Sequence, residues 1–338
     1  MNTETKTTQT ELYNRFKSTT TKSIIHLTEH IFYFSLFLYF LIFVKNNIWI
    51  SAITTPVFAL FNIRTFTIFH DCGHQSYFHN FYLNYWVGSI MGIWILTPVS
   101  WSYEHHLHHL TNGNVENKYD FAYNITIYHT KQQFNKFTPM EQYFYSAFRH
   151  PLVFFGILPV VKFFILNRFD YFLYKVLNKY PYEKSIYLFT INLFINNLGL
   201  MGLLKILYDA GILQHYIVSM YIASVLGTIL FHNQHTFNPA YVVSNEEWTL
   251  KNSGLDGSSF MIVPSFFTFF TNGIEYHHIH HMNPRIPSYH LADYHNYIMK
   301  NEPFLFDDVN YLSIVDCLNN CWLALYDEDT KQYTDLYF

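Results

Sequence analysis

Histidine occurs in three dense clusters along this chain of 338 residues, which contains 20 histidines. The clusters are HDCGH at 70–74, EHHLHH at 104–109 and HHIHH at 277–281. Because residues three and four apart share one face of a helix, each cluster can direct two or three rings the same way. The spacing selects eight rings: His70, His74, His105, His108, His109, His277, His280 and His281.

Clustered imidazoles of this spacing predict a transition-metal site. Each buried ring needs a partner for both nitrogens. A metal ion binds the neutral ring through one nitrogen and leaves the other free to form a hydrogen bond. A single histidine would more often be an ordinary core or surface residue, but two clusters repeat the spacing H-x-x-H-H. Eight rings exceed the four ligands of a structural zinc ion, so the sequence predicts two metal ions.

The composition indicates that lipid surrounds part of the chain. Hydrophobic residues make up 50% and charged residues 13%, whereas soluble domains carry about a quarter charged residues. The net charge of −4 offers no basic field for phosphates and argues against a nucleic-acid partner. The three cysteines are too few for a disulfide framework.

Four apolar segments have about the length of 20 residues that a bilayer crossing needs. They are residues 26–44, 48–69, 185–208 and 215–231, and the short links KNN and DAGILQ join them into two hairpins.

Three other apolar stretches, 86–99, 151–166 and 260–271, are short, and the last two contain internal proline. We expect these three to be interfacial or re-entrant helices, since an even number of crossings between the clusters is needed to bring all the rings together. The predicted fold is therefore an all-α integral membrane protein with four transmembrane helices in two hairpins and a cytosolic helical cap carrying a di-metal site.

The expected domains are a flexible cytosolic arm at 1–24, a membrane domain at 25–300 and an acidic tail at 301–338. Basic residues crowd the arm and the segment 162–184, which places both on the cytosolic side by the positive-inside rule. The metal site would share that side, at the endoplasmic reticulum in a eukaryote or at the plasma membrane in a bacterium.

The stretches HDCGHQSYF, HHLHHLTNG and HHIHHMNPRIPSYHL resemble the three histidine boxes of the membrane fatty-acid desaturases. The likeness is strongest to the acyl-lipid type, extends over about residues 60–295 and includes WTLKNSGLDGSSF before the third box. The resemblance implies two iron ions held by the box histidines and by one histidine after the last transmembrane helix. In FHNQHTF that residue corresponds to His235, with His232 as the weaker alternative.

The resemblance further implies an enzyme that uses O2 to insert a cis double bond into a lipid-linked acyl chain. No haem, dinucleotide or iron–sulfur motif is evident in the sequence, so electrons are expected from a separate ferredoxin or cytochrome b5 type donor. A hydroxylase, epoxygenase or acetylenase would share the same boxes. A zinc-dependent membrane hydrolase would need only one metal ion. A metal transporter would hold its ligands within the spans.

Neighbouring residues could orient the ligands or line an acyl tunnel. Candidates for hydrogen bonds to the ligand rings are Asp71, Glu104, Asn112 and Glu275, although a solvated or capping carboxylate is an equal alternative. Candidates for the tunnel are Trp101, Phe266 and Phe269, for which ordinary packing is the alternative. Gly73 is expected to allow close packing beside His74.

Overall fold

The structure, a computed structural model, describes residues 9–116, 128–169 and 183–336. Residues 1–8 of the N-terminal arm lie outside the described residues. So do Lys175 and Lys179, which contribute to the predicted cytosolic charge.

Helices dominate the described part of the chain. The long ones are α2 (Thr20–Val44), α3 (Ile48–Gly73), α9 (Glu183–Asp209) and α10 (Leu213–His235). The shorter ones are α1 (Gln9–Phe16), α4 (Phe81–Trp94), α5 (Trp101–Thr111), α6 (Lys131–Asn135), α7 (Pro139–Arg149), α8 (Pro151–Phe154), α11 (Leu250–Leu255), α12 (Ser265–Thr271), α13 (His277–Met282), α14 (Leu291–Asn301) and α15 (Ile314–Asn320). One π-helical turn (Val160–Ile165) and 3₁₀ turns at Leu166–Arg168, Ser288–His290 and Pro303–Phe306 complete the helical elements.

Four of the described helices, namely α2, α3, α9 and α10, are long and apolar enough to cross a membrane. Helix α3 is the central one: it packs against α2, α4, α10 and α12. In its most apolar stretch 61% of the residues are buried, whereas in α2 only 11% are. The outward faces of α2, α9 and α10 therefore present apolar side chains away from the protein, as a lipid environment requires.

The turns that join these helices meet at one end of the molecule. Asn47 caps α3 by accepting hydrogen bonds from the backbone N–H groups of Trp49 and Ile50. The Lys45 ammonium in the first turn donates to the carbonyl of Ala210 in the second turn. His70 and His235 lie at the far ends of α3 and α10, so the long helices carry the two rings to the same end.

The three short apolar stretches do not form long helices. Helix α4 has 14 residues, which is about 21 Å and short of a hydrocarbon core of about 30 Å. Segment 151–166 is divided between α8 and the π-helical turn, and segment 260–271 between a strand and α12. None of them is among the candidate spans of the described chain, in agreement with the prediction.

Both ends of the described chain pack on the rest of the protein. Leu12 and Phe16 of α1 are buried in one cluster with Tyr294 and Ile298 of α14. In the predicted acidic tail, the carbonyl of Ala324 accepts a hydrogen bond from the hydroxyl of Tyr145 in α7 at 2.6 Å.

The described residues also form five short strands: β1 (His129–Thr130), β2 (Ser259–Met261), β3 (Asn310–Leu312), β4 (Leu325–Asp327) and β5 (Gln332–Thr334). Strand β2 pairs parallel to β3, whereas β4 pairs parallel to β1 and antiparallel to β5. Neither sheet is closed. The strands join the C-terminal segment to parts of the chain that lie far away in sequence.

Candidate metal centre

Four helix segments bring nine histidines together at one end of the molecule. Helix α3 supplies His70 and the residue that caps it, His74. Helix α10 supplies its last residue, His235. The remaining six lie on one face each of the short helices α5 and α13, as their spacing of three and four residues predicts. They are His105, His108, His109, His277, His280 and His281.

The first group contains five rings whose ligand nitrogens all lie within 4.8 Å of one another: His70, His74, His105, His109 and His280. His105 Nε2 lies 2.9 Å from His70 Nε2 and 3.1 Å from His109 Nε2. His109 Nε2 in turn lies 3.0 Å from His280 Nε2. All three histidine clusters of the sequence therefore contribute to this group.

The second group contains four rings within the same limit of 4.8 Å: His108, His235, His277 and His281. His235 Nε2 lies 3.0 Å from both His108 Nε2 and His277 Nε2. The ring of His281 stacks on that of His109 with 4.0 Å between centroids, so the two groups are adjacent.

Hydrogen bonds alone do not satisfy the second group. His235 Nδ1 donates to the Gly257 carbonyl at 3.0 Å, so in the neutral ring Nε2 carries no proton. Its single lone pair nevertheless faces two other Nε2 atoms, and both nitrogens of the fully buried His281 lack a hydrogen-bond partner. Two nitrogens bound to one metal ion at about 2.1 Å and at right angles lie about 3.0 Å apart. The spacing and the unpartnered nitrogens therefore fit a metal ion in each group.

The surroundings favour the neutral form in seven of these imidazoles, and the neutral ring is the form that binds metal. Burial lowers the pKa of His281 well below its usual value of 6.5, and the rings of His109, His235 and His277 lower it further. Burial and neighbouring rings act in the same direction on the pKa of the other site histidines outside the long helices: His74, His105, His108, His109, His277 and His280.

Asp71 and the Gly257 carbonyl orient two of the rings, those of His70 and His235, through hydrogen bonds. Asp71 Oδ1 lies 3.2 Å from His70 Nδ1, and Asp71 Oδ2 accepts from the backbone N–H of Ser288 at 2.7 Å. The Gly257 carbonyl accepts from His235 and also from Asn112 Nδ2 at 2.9 Å. Asp71 thus contacts a ligand candidate directly, whereas Asn112 acts through the carbonyl that holds His235.

The other two polar candidates have different partners. Glu104, which directly precedes His105, accepts a hydrogen bond from Lys162 at 3.1 Å, and both side chains are largely buried. Glu275 Oε2 accepts from the hydroxyl of Thr271 at 2.5 Å, which ties the start of α13 to the end of α12.

Close backbone packing joins the histidine-bearing helices. A Cβ atom at Gly73 would lie 2.9 Å from the Cβ of Ser102, so the glycine permits the contact between α3 and α5 that the sequence predicts. A Cβ atom at Gly254 would lie 2.9 Å from the backbone nitrogen of Met282. Helix α11, which belongs to the stretch noted before the third cluster, therefore lies directly against α13.

An apolar cavity of about 200 Å³ opens beside both groups. Trp101 lines it and stacks on His105 with 4.5 Å between ring centroids. Phe266 and Phe269, the other tunnel candidates, do not line this cavity: Phe266 is exposed, and Phe269 lies under the guanidinium of Arg64. The other walls include Ile63, Phe66, Met220, Ala223, Gly227 and Phe231.

Two features of the site, the Gly257 carbonyl and Lys162, are not predicted from the sequence. The Gly257 carbonyl carries no side-chain signal, although it lies in the stretch WTLKNSGLDGSSF. Lys162 reaches Glu104 from the π-helical turn, which no spacing rule for α-helices predicts. The two cluster histidines outside the groups lie where helical spacing predicts, away from the other rings: His106 is exposed and His278 contacts His295. His232 bonds to the Asn320 carbonyl and to Tyr128 and takes no part in either group.

Comparison with known proteins gives consistent matches over most of the chain. A family model described as "Fatty acid desaturase" matches residues 47–306. A "Fatty acid desaturase" of Bacillus subtilis (strain 168) is 29% identical over 287 residues, covering 82% of this chain and 75% of the relative. An "sn-1 acyl-lipid omega-3 desaturase (ferredoxin)" of Nostoc sp. (strain 36) is 26% identical, covering 79% and 74%. An "sn-1 oleoyl-lipid 12-desaturase" of Synechocystis sp. is 26% identical, covering 72% and 66%.

Proposed function

The chain belongs to the fatty acid desaturase family, and on that premise we propose that it inserts a cis double bond into a lipid-linked acyl chain. The family implies an oxidoreductase. In the proposed reaction two neighbouring methylenes each lose one hydrogen, and O2 is reduced to two waters with two electrons from an external donor and two protons from the surrounding water. A relative whose name specifies ferredoxin supports a donor of that class, with a cytochrome b5 type as the alternative.

The observation that carries the proposal is the pair of histidine groups beside an apolar cavity. We propose that all nine histidines bind two iron ions, five at one ion and four at the other. Bound iron would supply the activation of O2, which no protein side chain can provide. The chain itself contributes neutral imidazoles, a shape that holds an alkyl chain and a wall that excludes water.

Particular residues would orient the reacting parts. Asp71 and the Gly257 carbonyl hold the distal nitrogens of His70 and His235, so each ring presents Nε2 to the centre. The indole of Trp101 covers the ring of His105 on the cavity side and shields it from water.

The same proposal includes an arrangement in the membrane. We propose that α2 with α3 and α9 with α10 cross as two hairpins, with the histidine end in the cytosol. The contact between Lys45 and Ala210 supports this arrangement because it places both turns at the opposite end. An acyl chain would then reach the cavity sideways from the lipid.

The alternative functions have less support. A zinc hydrolase needs one ion, whereas the nine rings divide into two groups of five and four. A hydroxylase, epoxygenase or acetylenase would share these boxes, but the three relatives described above are named desaturases.

The test is the fatty-acid profile of a host that expresses the protein together with a ferredoxin and its reductase. We expect new unsaturated species by gas chromatography, absent when His277→Ala or His108→Ala is expressed at the same level. The control is His106→Ala, which removes an exposed ring from the cluster that contains His108. This variant should still form the product and bind metal. An unchanged profile from protein that contains its full metal complement would refute the proposal.

A further inference from the structure

One face of α10 connects the metal groups with the deep part of the cavity. Gly227, Phe231 and His235 are spaced by four residues and therefore lie along one face of this helix. Gly227 and Phe231 line the cavity, and the ring of Phe231 lies 5.3 Å from that of His235. Gly227 is eight residues from His235, or about 12 Å along the helix axis.

Gly227 is not required by the packing of the helix. A Cβ atom there would meet no other atom within 4 Å, whereas at Gly92 it would lie 2.4 Å from the Thr97 carbonyl oxygen. Glycine inside a helix lowers stability relative to alanine. A glycine that stabilises neither packing nor a turn leaves empty space, and at this position the space belongs to the cavity.

The position along the cavity decides which part of a substrate would face Gly227. The polar head of an acyl lipid stays near water because burying its ester oxygens without partners is unfavourable. The methyl end would then extend past the histidines into the apolar part of the cavity, towards Ile63 and Met220. Gly227 lies beside this part, deeper in the protein than the metal groups.

We propose that Gly227 determines how many carbons fit on the methyl side of the metal groups, and hence which acyl-chain lengths the enzyme accepts. This inference rests on the proposed function, since it assumes that the cavity holds the acyl chain. A side chain at position 227 projects into the cavity and shortens it without touching the histidines. Substrates with longer methyl ends should be excluded first.

The experiment uses the purified full-length protein with metal bound and the fluorescent fatty acid parinarate as probe. Displacement of the probe by myristate, palmitate, stearate and arachidate gives relative affinities for the wild type and for Gly227→Ala, Gly227→Val and Gly227→Leu. Since each methylene excluded from an apolar site weakens binding, the loss of room for two carbons should change the affinity ratio of a long to a short chain by roughly tenfold.

Gly202→Val provides a matched control. Gly202 is the other described glycine at which an added Cβ would meet no atom within 4 Å, but it is exposed on α9 and does not line the cavity. We expect its chain-length ratio to equal that of the wild type. Gly227→Ala covers the case in which the larger variants do not fold, because alanine favours the helix.

The outcomes separate this inference from the proposed function. Equal chain-length ratios in the wild type and the Gly227 variants would overturn the role of Gly227, whether or not the enzyme desaturates lipids. If the wild type binds fatty acids but forms no unsaturated product, the proposed function fails while the binding ratios still test Gly227. Graded loss of the longer chains in Gly227→Ala, Gly227→Val and Gly227→Leu, but not in Gly202→Val, would support it.

Discussion

In two of the site imidazoles, those of His70 and His235, the two ring nitrogens face different groups. The distal nitrogens of His70 and His235 face Asp71 and the Gly257 carbonyl, while their Nε2 atoms lie 2.9–3.0 Å from the Nε2 atoms of neighbouring rings. A carboxylate or carbonyl on the distal side fixes the tautomer and the orientation of a ring. We therefore expect the polar neighbours of the histidines to influence metal affinity as well as folding.

Asp71→Asn tests this role. The carboxylate accepts from two groups at once, the ring of His70 and the backbone N–H of Ser288. An amide of the same size offers only one acceptor oxygen, so one of the two contacts becomes donor against donor. We expect metal affinity to fall roughly 10-fold to 100-fold, as for other partners of metal-bound histidines.

The measurement is competition with a chelator on purified protein, followed by metal analysis. Asp293→Asn is the matched control, because its exposed carboxylate forms ion pairs with Lys22 and His290 among the described residues and lies against none of the site histidines. Equal metal retention in both variants would contradict an orienting role for Asp71.

At the residue scale, spacing alone predicts most of the site but not its hydrogen-bond partners. The nine rings that the structure brings together are those named from three clusters and from the resemblance at His235. The i, i+3, i+4 rule selects the eight cluster rings, because the selected rings of each cluster share one side of a helix, whereas His235 follows only from the resemblance. The partners of Glu104, Glu275 and His232 depend on contacts between distant segments, and no local pattern in the sequence encodes such contacts.

Helix α12 is held by α3, the helix that carries His70. Thr67 donates to the Thr271 carbonyl at 3.2 Å, and the buried guanidinium of Arg64 donates to the Phe269 carbonyl. Carbonyls in the last turn of a helix lack partners within the helix, and a cation is favoured there. Since α12 ends six residues before His277, these bonds fix the position from which α13 begins.

Arg64→Met tests the contribution of this contact. The guanidinium also donates to Glu29 and His26, each at 3.0 Å, so the variant loses several bonds in the apolar region. We expect a destabilisation of about 1.5–3 kcal/mol, the usual value for a hydrogen bond to a charged group. The unfolding temperature in detergent and the metal content should both decrease.

Lys205→Met is the control, since it removes an exposed cation from α9 whose ion pair within the described part of the chain is with Asp209 of the same helix. If both variants unfold at the same temperature and retain the same metal content, Arg64 does not fix α12.

At the element scale, length and apolar composition predict the long helices, because a crossing segment must satisfy its own backbone. The same reasoning separates the short stretches 86–99, 151–166 and 260–271 from the spans. The strands of the C-terminal segment are only three residues long, and each pairs with a distant partner or forms a small hairpin. From its acidic composition the segment 301–338 is predicted to be a tail, whereas in the structure it contains a helix and three strands. Pairing between segments far apart in sequence leaves no local pattern from which these strands could be predicted.

The described helices place the two interhelical turns at one end of the molecule and the histidine groups at the other. All nine rings lie at this histidine end, where α1, α14 and the C-terminal strands also pack. An even number of crossings between the clusters is the only arrangement that lets all nine rings meet on one side of a bilayer. The orientation of this side is a separate question, for which the basic residues predict the cytosol.

Single cysteine substitutions test whether the number of membrane crossings between the clusters is even, and on which side of the membrane the histidine end lies. Asn46→Cys marks the exposed turn between α2 and α3, and Glu246→Cys marks an exposed position after α10 near the histidine end. In sealed right-side-out vesicles a membrane-impermeant maleimide should label Asn46→Cys and leave Glu246→Cys unlabelled until detergent is added. The natural cysteines are buried or partly buried, and Cys321→Ser removes the most accessible of them from the background.

Labelling of both variants from the same side would contradict the proposed crossings, since helices that span in pairs must separate the turn from the histidine end. The reverse pattern would leave the crossings intact but place the metal groups outside the cytosol, where a ferredoxin could not reach them.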